Sequence, residues 1–440
     1  MPGLQASLYV GLSGLQAQQA ALNVVGHNIA NVNTPGYSRQ RADLAARDAV
    51  VEGDFRFGSG VSLSGIQSVR DRFLDLQIHH ETGKQAGAEA RSATLSAVSA
   101  VLGDTGDTGL AAQLQAFFQG FQDLAAQPES GGLRTGVLGK AQTLVTSLKA
   151  QAQSLTDQRE QANQEVASLT LQVNTLATRI ADLNDRVTSS ASSGGNSEAE
   201  DQRKALTDQL ATLVGIQVVV GAEGDYQITL DGGSGALVSG GRAFALSTSP
   251  GDASQDAMLQ VGLDVGSAPL NVTGQIREGR LGAALDLRDQ RLVGFQAQLD
   301  QVAAGLASSV NALHRAGYAL DGATTGLDFF QADGVANGAD GLPASLSTQT
   351  TQRQGAGWTD RYRGMANLLS VNTALTNNPS LVAAAAASGA PGDNAQALAL
   401  AALATRGDTV DAGGAPQGFT DAVAGLISEV GTQSQGWTSQ

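Results

Sequence analysis

Four histidines, His27, His79, His80 and His314, are the residues of this 440-residue chain best suited to proton transfer or metal ligation. The pair His79-His80 is followed by Glu81, but neighbouring side chains on a helix point apart. No cysteine or well-spaced carboxylate triplet joins them. Asp321, Asp328 and Asp333 lie among glycines without the ligand order of a calcium loop. The chain has no HExxH, GxxxxGKS/T or GxSxG pattern, and 231-DGGSG-235 lacks the strand–glycine–helix setting of a dinucleotide turn. No catalytic, cofactor-binding or metal-ligating residue is therefore expected, and the chain is read as not an enzyme.

His27 differs in its surroundings, 24-VVGHNIANVNTPGYSRQRADL-44. As a base it stands alone. With Asn28 and Asn31 it is better suited to hydrogen-bond backbone groups where a helix ends. Asn33-Thr34-Pro35-Gly36-Tyr37 then stops the helix, because proline pushes the residue before it out of the helical region and Pro-Gly supplies a turn. The cluster reads as a hinge.

The element leading into that hinge carries Leu4, Leu8, Leu12, Leu15, Leu22, Val25 and Ile29 at spacings of three, four and seven. These form one apolar stripe on a helix, with glutamine and serine on the other faces. Short strand pieces follow over 55–71, and helical patterning runs from about 88 to 187 with breaks at 103–109 and 128–132. Its last part, Leu169, Val173, Leu176, Ile180, Leu183 and Val187, alternates steps of four and three as a coiled coil does. A polar hinge, 189-SSASSGGNSEAE-200, precedes a short helix at 201–214. Period-two segments then run through 216–276, opening with an apparent hairpin at 216–233. Leu285, Leu292, Leu299, Leu306 and Leu313 stand seven apart on a returning helix on the order of 50 Å long, for which the stretch ending at Val187 is the expected partner. Residues 318–360 read as a long loop, with helical pieces at 378–386, 393–403 and 418–434.

Composition agrees with extended helices. Aromatic residues are 4% of the chain, so alanine and leucine must build narrow seams. A formal charge of −15 argues against a nucleic-acid backbone as partner. The first residues lack the basic and apolar regions of a cleavable signal peptide, and no window suits a membrane span. The fold class is α+β multidomain: a long coiled-coil-like helical rod built from discontinuous segments, with an inserted small β-rich domain. The expected division is an axial helix and hinge at 1–40, a first rod part at 41–190, the β-rich domain at 191–277, and the return helix with the remaining rod at 278–440.

The run from Leu12 to Gln40 closely resembles the N-terminal signature of bacterial flagellar rod, hook and hook-associated proteins, whose helix ends in N-I-A-N-x-N-T-P-G-Y. Asn28-Ile29-Ala30-Asn31 and Asn33 to Tyr37 match it without a gap. Residues 117–148 and 276–322, with Phe329-Phe330 and 378–400, are similar to the hook-associated protein 1 family of first hook–filament junction proteins. There Gly279, Gly282, Leu285, Arg288, Asp289, Leu299, Asn311, His314, Gly317 and Gly322 fall where that family's pattern has them.

The resemblance implies a structural subunit exported unfolded through the flagellar type III route, without cleavage, to the extracellular hook–filament junction. It implies terminal helices paired in an inner coiled coil. Implied partners are the hook protein, the second junction protein and filament side, further copies of the same chain, and an export chaperone; nucleic acid and membrane insertion are not implied. The family's closing turn and final apolar helix have no match before Gln440, so the chain is read as C-terminally truncated. Residues 1–30 are then expected to be disordered in a monomer. The alternatives are a hook or distal-rod subunit, or an adhesive module acting through the β-rich domain.

Overall fold

The computed structural model describes residues 3–34, 37–52, 55–69, 72–103, 106, 109–190, 197–233, 235–252, 256–266, 268–332, 342, 362–412 and 415–438. The chain forms two compact units. One comprises Met1–Gly87, Glu165–Gly251 and Leu259–Ala283; the other comprises Ala88–Gln164, Asp252–Met258 and Ala284–Gln440.

The first unit opens with α1 (Gly3–Ala30). Strands β1 (Gln40–Ala46) and β4 (Val61–Ser68) pair antiparallel from Gln40↔Ser68 to Ala46↔Val61, with a bulge at Asp43/Leu44. Their connection carries a second hairpin of β2 (Val50–Glu52) and β3 (Phe55–Phe57). The early part of α2 (Arg72–Leu102), the late part of α4 (Gly131–Ser190) and α5 (Ser197–Leu213) supply its remaining long helices.

Two antiparallel sheets complete this unit. One is a meander of β5 (Ile216–Val220), β6 (Tyr226–Leu230), β7 (Ala236–Ser239) and β8 (Arg242–Ala243). The other contains β9 (Leu246–Pro250), β10 (Leu259–Asp264) and β11 (Pro269–Asn271), with β10 central. Period two is visible in β5, where Ile216 and Val218 are buried while Gln217 and Val219 are exposed.

In this unit Leu169, Val173, Leu176, Ile180, Leu183 and Val187 are all buried. Two asparagines of α4 clip strands alongside. Asn174 exchanges both backbone hydrogen bonds with Leu246 at 2.7 Å, and Asn184 does the same with Tyr226 at 2.8 and 2.9 Å. Arg203 of α5 also donates to Asn184 Oδ1 at 2.8 Å, so strands and a helix both meet this stretch. The returning helix shares its core with the earlier part of this same helix, where Leu144, Leu148 and Leu155 meet Leu292, Leu299 and Leu306.

The second unit surrounds one hydrophobic core. It contains the rest of α2, α3 (Leu110–Ala126), the early part of α4, and α7 (Leu292–Ala316). The antiparallel pairs are β12 (Phe330–Ala332) with β13 (Leu369–Val371), and β14 (Val410–Ala412) with β15 (Ala415–Gln417). Helices α8 (Met365–Leu368), α9 (Thr373–Asn377), α10 (Ala395–Ala402) and α11 (Phe419–Thr438) close it.

The returning helix is wound in three ways: α6 (Gly279–Asp286), a π-helical turn at Leu287–Arg291, and α7. Within the π turn the Arg288 carbonyl accepts from Arg159 Nε at 2.9 Å. Leu285, Leu292, Leu299 and Leu306 are buried, and Leu313 is half-buried against the core. Leu292, Leu299 and Leu306 share that core with Leu144, Leu148 and Leu155 of α4 and with α3, α10 and α11.

The scarce aromatic rings are concentrated here. Phe117 lies within 5.7 Å, centroid to centroid, of Phe118, Phe121, Phe329 and Phe330.

Residues 378–386 depart from the helical expectation. Only Pro379–Leu381 form a helical turn, and Ala385 bridges Tyr318. The backbone groups a helix would use are already taken: the Arg134 guanidinium donates to Val382 O, and Ala383 N–H donates to His314 Nε2 at 3.0 Å.

Candidate assembly site

A surface helix ordinarily buries its large apolar residues. Helix α1 is the reverse. Leu8, Leu15, Leu22 and Ile29 are 66, 71, 69 and 69% exposed, and Tyr9, Leu12 and Val25 are exposed with them. The face turned inward carries Ser13, Ala17 and Val24. Leu4 belongs to α1, but its side chain is outside the described residues. A contiguous apolar strip of this kind is a candidate interaction surface.

The small inner face is explained by what it meets. Ser13 Oγ accepts from Val61 N–H at 3.2 Å and donates to Val10 O at 2.8 Å. Gly60, at φ +98°, approaches so closely that a Cβ there would lie 2.1 Å from Ser13 Oγ. The β1–β4 hairpin therefore docks on α1 through residues without bulk.

The hinge is organised by Asn28. Its Oδ1 accepts from Gln40 N–H and from Tyr37 Oη, each at 2.8 Å, while its Nδ2 donates to Gln40 O at 2.8 Å. His27 Nδ1 lies 3.1 Å from Tyr37 Oη, with the rings edge to face at 5.6 Å. Asn31 Nδ2 returns to His27 O at 3.0 Å, and Thr34 Oγ1 reaches Asn31 Oδ1 at 3.3 Å. Burial pushes the Tyr37 phenol above its ordinary pKa, and the charge of Asp201 adds to that. Asn33 is exposed in the turn; Pro35 and Gly36 lie outside the described residues. The arrangement transmits direction from α1 to β1, since one amide side chain supplies both hydrogen bonds a neighbouring strand would have given Gln40.

The adjacent histidines diverge as expected. His79 Nε2 lies 2.8 Å from Asp208 Oδ1, and His80 Nδ1 lies 3.2 Å from Glu278 Oε2. Burial raises the Asp208 pKa, but its contacts with His79 and Lys204 outweigh that and the net shift is downward. Burial raises Glu278, with Asp231 adding and His80 opposing. Asp231 and Glu278 stand far from His80 in sequence, and no local spacing announces their approach.

His314 is fully buried at the C-terminal end of α7. Its Nε2 accepts from Ala383 N–H and its Nδ1 donates to Leu327 O at 2.7 Å, so it is a neutral structural group whose pKa burial pushes down to about 4. In the second unit, Arg159, Asp256, Asp300 and Arg363 line a cleft. These charges are committed internally: Asp256 pairs with both arginines, and Asp300 accepts from Gly364 and Ala366 N–H at 2.8 Å.

The described residues thus form a protein of long helices and small sheets in which α1 turns its leucines outward. Residues 95–330 match the model of the flagellar hook-associated protein FlgK helical domain, and residues 8–37 match that of the flagella basal body rod protein. The chain belongs to the flagellar hook-associated protein FlgK family.

Flagellar hook-associated protein 1 of Salmonella typhimurium is 33% identical over 72% of this chain and 58% of its own length; that of Escherichia coli is 32% identical over 78% and 61%. The chain thus spans less than two thirds of either relative. The Bacillus subtilis protein of the same name is 27% identical over 98% of this chain and 86% of its own. A solved structure of the flagellar hook junction protein FlgK from Burkholderia pseudomallei shares the fold, with a TM-score of 0.67 and 18% identity over 82% of this chain and 96% of the other.

Proposed function

We propose that the chain is a structural subunit of the bacterial flagellum that joins hook to filament, assembling outside the cell at the distal end of the hook. The observation that carries this reading is the exposed leucine face of α1. Covering one such side chain is worth about 1.5–3 kcal/mol, so a strip of them supports association strong enough for a mechanical joint. The family relationship supports a flagellar location, and the names of the relatives support the junction.

The partners follow as part of the proposal: the hook protein on one side, the second junction protein and filament on the other, and further copies laterally. Export unfolded with a chaperone and without a cleaved leader belongs to the same reading. The Leu285 to Leu313 seam is proposed to hold the rod rigid.

The test is electron microscopy of cells lacking the gene, with the medium assayed for flagellin. Bare hooks and leaked flagellin support the junction. Missing hooks move the subunit to the rod or hook, and normal filaments overturn the assembly reading.

A further inference from the structure

We propose that His80, Asp231 and Glu278 form a binding site for a divalent transition-metal ion, zinc above all, which ties α2 to the β6–β7 turn and to the segment before α6. One ligand atom from each residue lies within 4.8 Å of the others, and His80 Nδ1 and Glu278 Oε2 are already 3.2 Å apart. Tetrahedral zinc, with bonds of about 2.0–2.2 Å, sets neighbouring ligand atoms about 3.3–3.6 Å apart. Small side-chain rotations close the site.

The backbone beneath is built to hold these residues together. Gly215 donates its N–H to Glu278 O at 3.2 Å, and its carbonyl accepts from Asp231 N–H at 3.0 Å. One peptide segment thus grips both carboxylate-bearing residues. A Cβ on Gly215 would lie 2.8 Å from Glu278 Cβ, so the close approach depends on glycine. On the other side Gly83, one turn beyond His80, packs against Ala211 O, where an added Cβ would be 3.1 Å away. Gln217 Nε2 donates to Asp231 Oδ1 at 3.1 Å and orients that carboxylate, as partners of metal ligands do.

Charge points the same way. The groups facing the centre are the two carboxylates and one imidazole; Glu81 adds a negative charge nearby and Lys84 pairs with it at 3.3 Å. His80 and Lys84 offset part of the Glu278 charge, and a divalent ion between the two carboxylates would offset both. One nitrogen with two oxygens suits zinc, cobalt or nickel better than calcium or magnesium. His80, with its side chain 43% exposed, leaves an entry path and a fourth position for water. Because the ligands come from three distant parts of the chain, the folded protein alone assembles them, and binding stabilises the fold.

Isothermal titration of the full chain with Zn2+ alone, beside Co2+ absorption spectroscopy, tests this. Saturable binding of one ion per chain, weakened about tenfold or more in the isosteric variants Glu278→Gln and Asp231→Asn, is expected. Co2+ should give intense visible bands that Zn2+ abolishes, and Ca2+ should not compete. Absence of saturable binding, or equal affinity in both folded variants, overturns the site. Circular dichroism reads the folding of each variant. Should a variant unfold, the wild-type Co2+ spectrum decides: weak, aqua-ion-like bands overturn the proposal and tetrahedral bands support it.

Discussion

Asn28 gives Gln40 both hydrogen bonds that a neighbouring strand would otherwise supply, accepting from its N–H and donating to its carbonyl at 2.8 Å each. Asn174 repeats the arrangement with Leu246 and Asn184 with Tyr226. Asn311 accepts from Phe329 and Phe330 N–H and donates to Phe330 O, all at 2.8 Å. Four helix-borne amides thus close strand backbones. A helix has no edge to pair with a strand, and an asparagine side chain provides a short one.

The hinge follows from that geometry. Asn28→Ala leaves the nearly buried Gln40 peptide groups without partners, at a cost of about 1–3 kcal/mol. Hydrogen exchange at the Gln40 amide should accelerate by about one to two orders of magnitude while exchange in the second unit is unchanged. Asn28→Asp keeps the acceptor and loses the donor, so protection falls less.

The leucine face predicts a separation of stability from assembly. Leu15→Glu and Leu22→Glu alter exposed positions and should shift folding stability by no more than about 0.5 kcal/mol. Co-sedimentation with isolated hooks should be lost in the double variant. Loss of folding together with loss of assembly would show that these side chains are buried within the chain itself.

Gly60 tests the docking of the hairpin on α1. Gly60→Ala meets both an unfavourable φ of +98° and Ser13 Oγ, and should destabilise this contact by about 1 kcal/mol or more. Limited proteolysis within α1 should become faster. Gly58→Ala, where nothing lies within 4 Å, should leave the rate near wild type.

His314 predicts a pH dependence of defined sign. Its folded pKa of about 4 lies below the unfolded value of 6.5. The neutral ring therefore stabilises the fold fully above about pH 6.5, and stability falls as pH drops from there toward 4 because only the unfolded chain takes up the proton. The whole loss is about 3 kcal/mol. Urea unfolding near pH 7.5 and near pH 4 measures it. In His314→Gln, whose amide can serve both Leu327 O and Ala383 N–H, the difference between the two conditions should shrink by about that amount.

Local pattern made much of this legible. The α1 stripe, the hinge motif and the heptad leucines from Leu285 to Leu306 are set by nearest-neighbour chemistry and spacing, and the structure places each in a helix, turn or core. Partnership was harder to read. The stretch from Leu169 to Val187 has coiled-coil spacing, yet its helix is bonded to strand residues Leu246 and Tyr226 and to Arg203 of α5, because a 3-4 stripe specifies a face and not what lies on it. The π turn at Leu287–Arg291 leaves no spacing signal, and its contact with Arg159 joins residues 129 apart in sequence. Ser13 and Gly60 were equally silent: small residues mark a close approach only once both partners are in place.

The slender inner face of α1 has a consequence for how force passes through an assembled subunit. The helix is attached to its own hairpin through Ser13, Ala17, Val24 and Gly60, while its larger side chains point away. On the assembly reading proposed above, a neighbour's hold on the leucines would outlast the small contact inside the subunit under load. On that reading the helix would act as a tether gripped from outside.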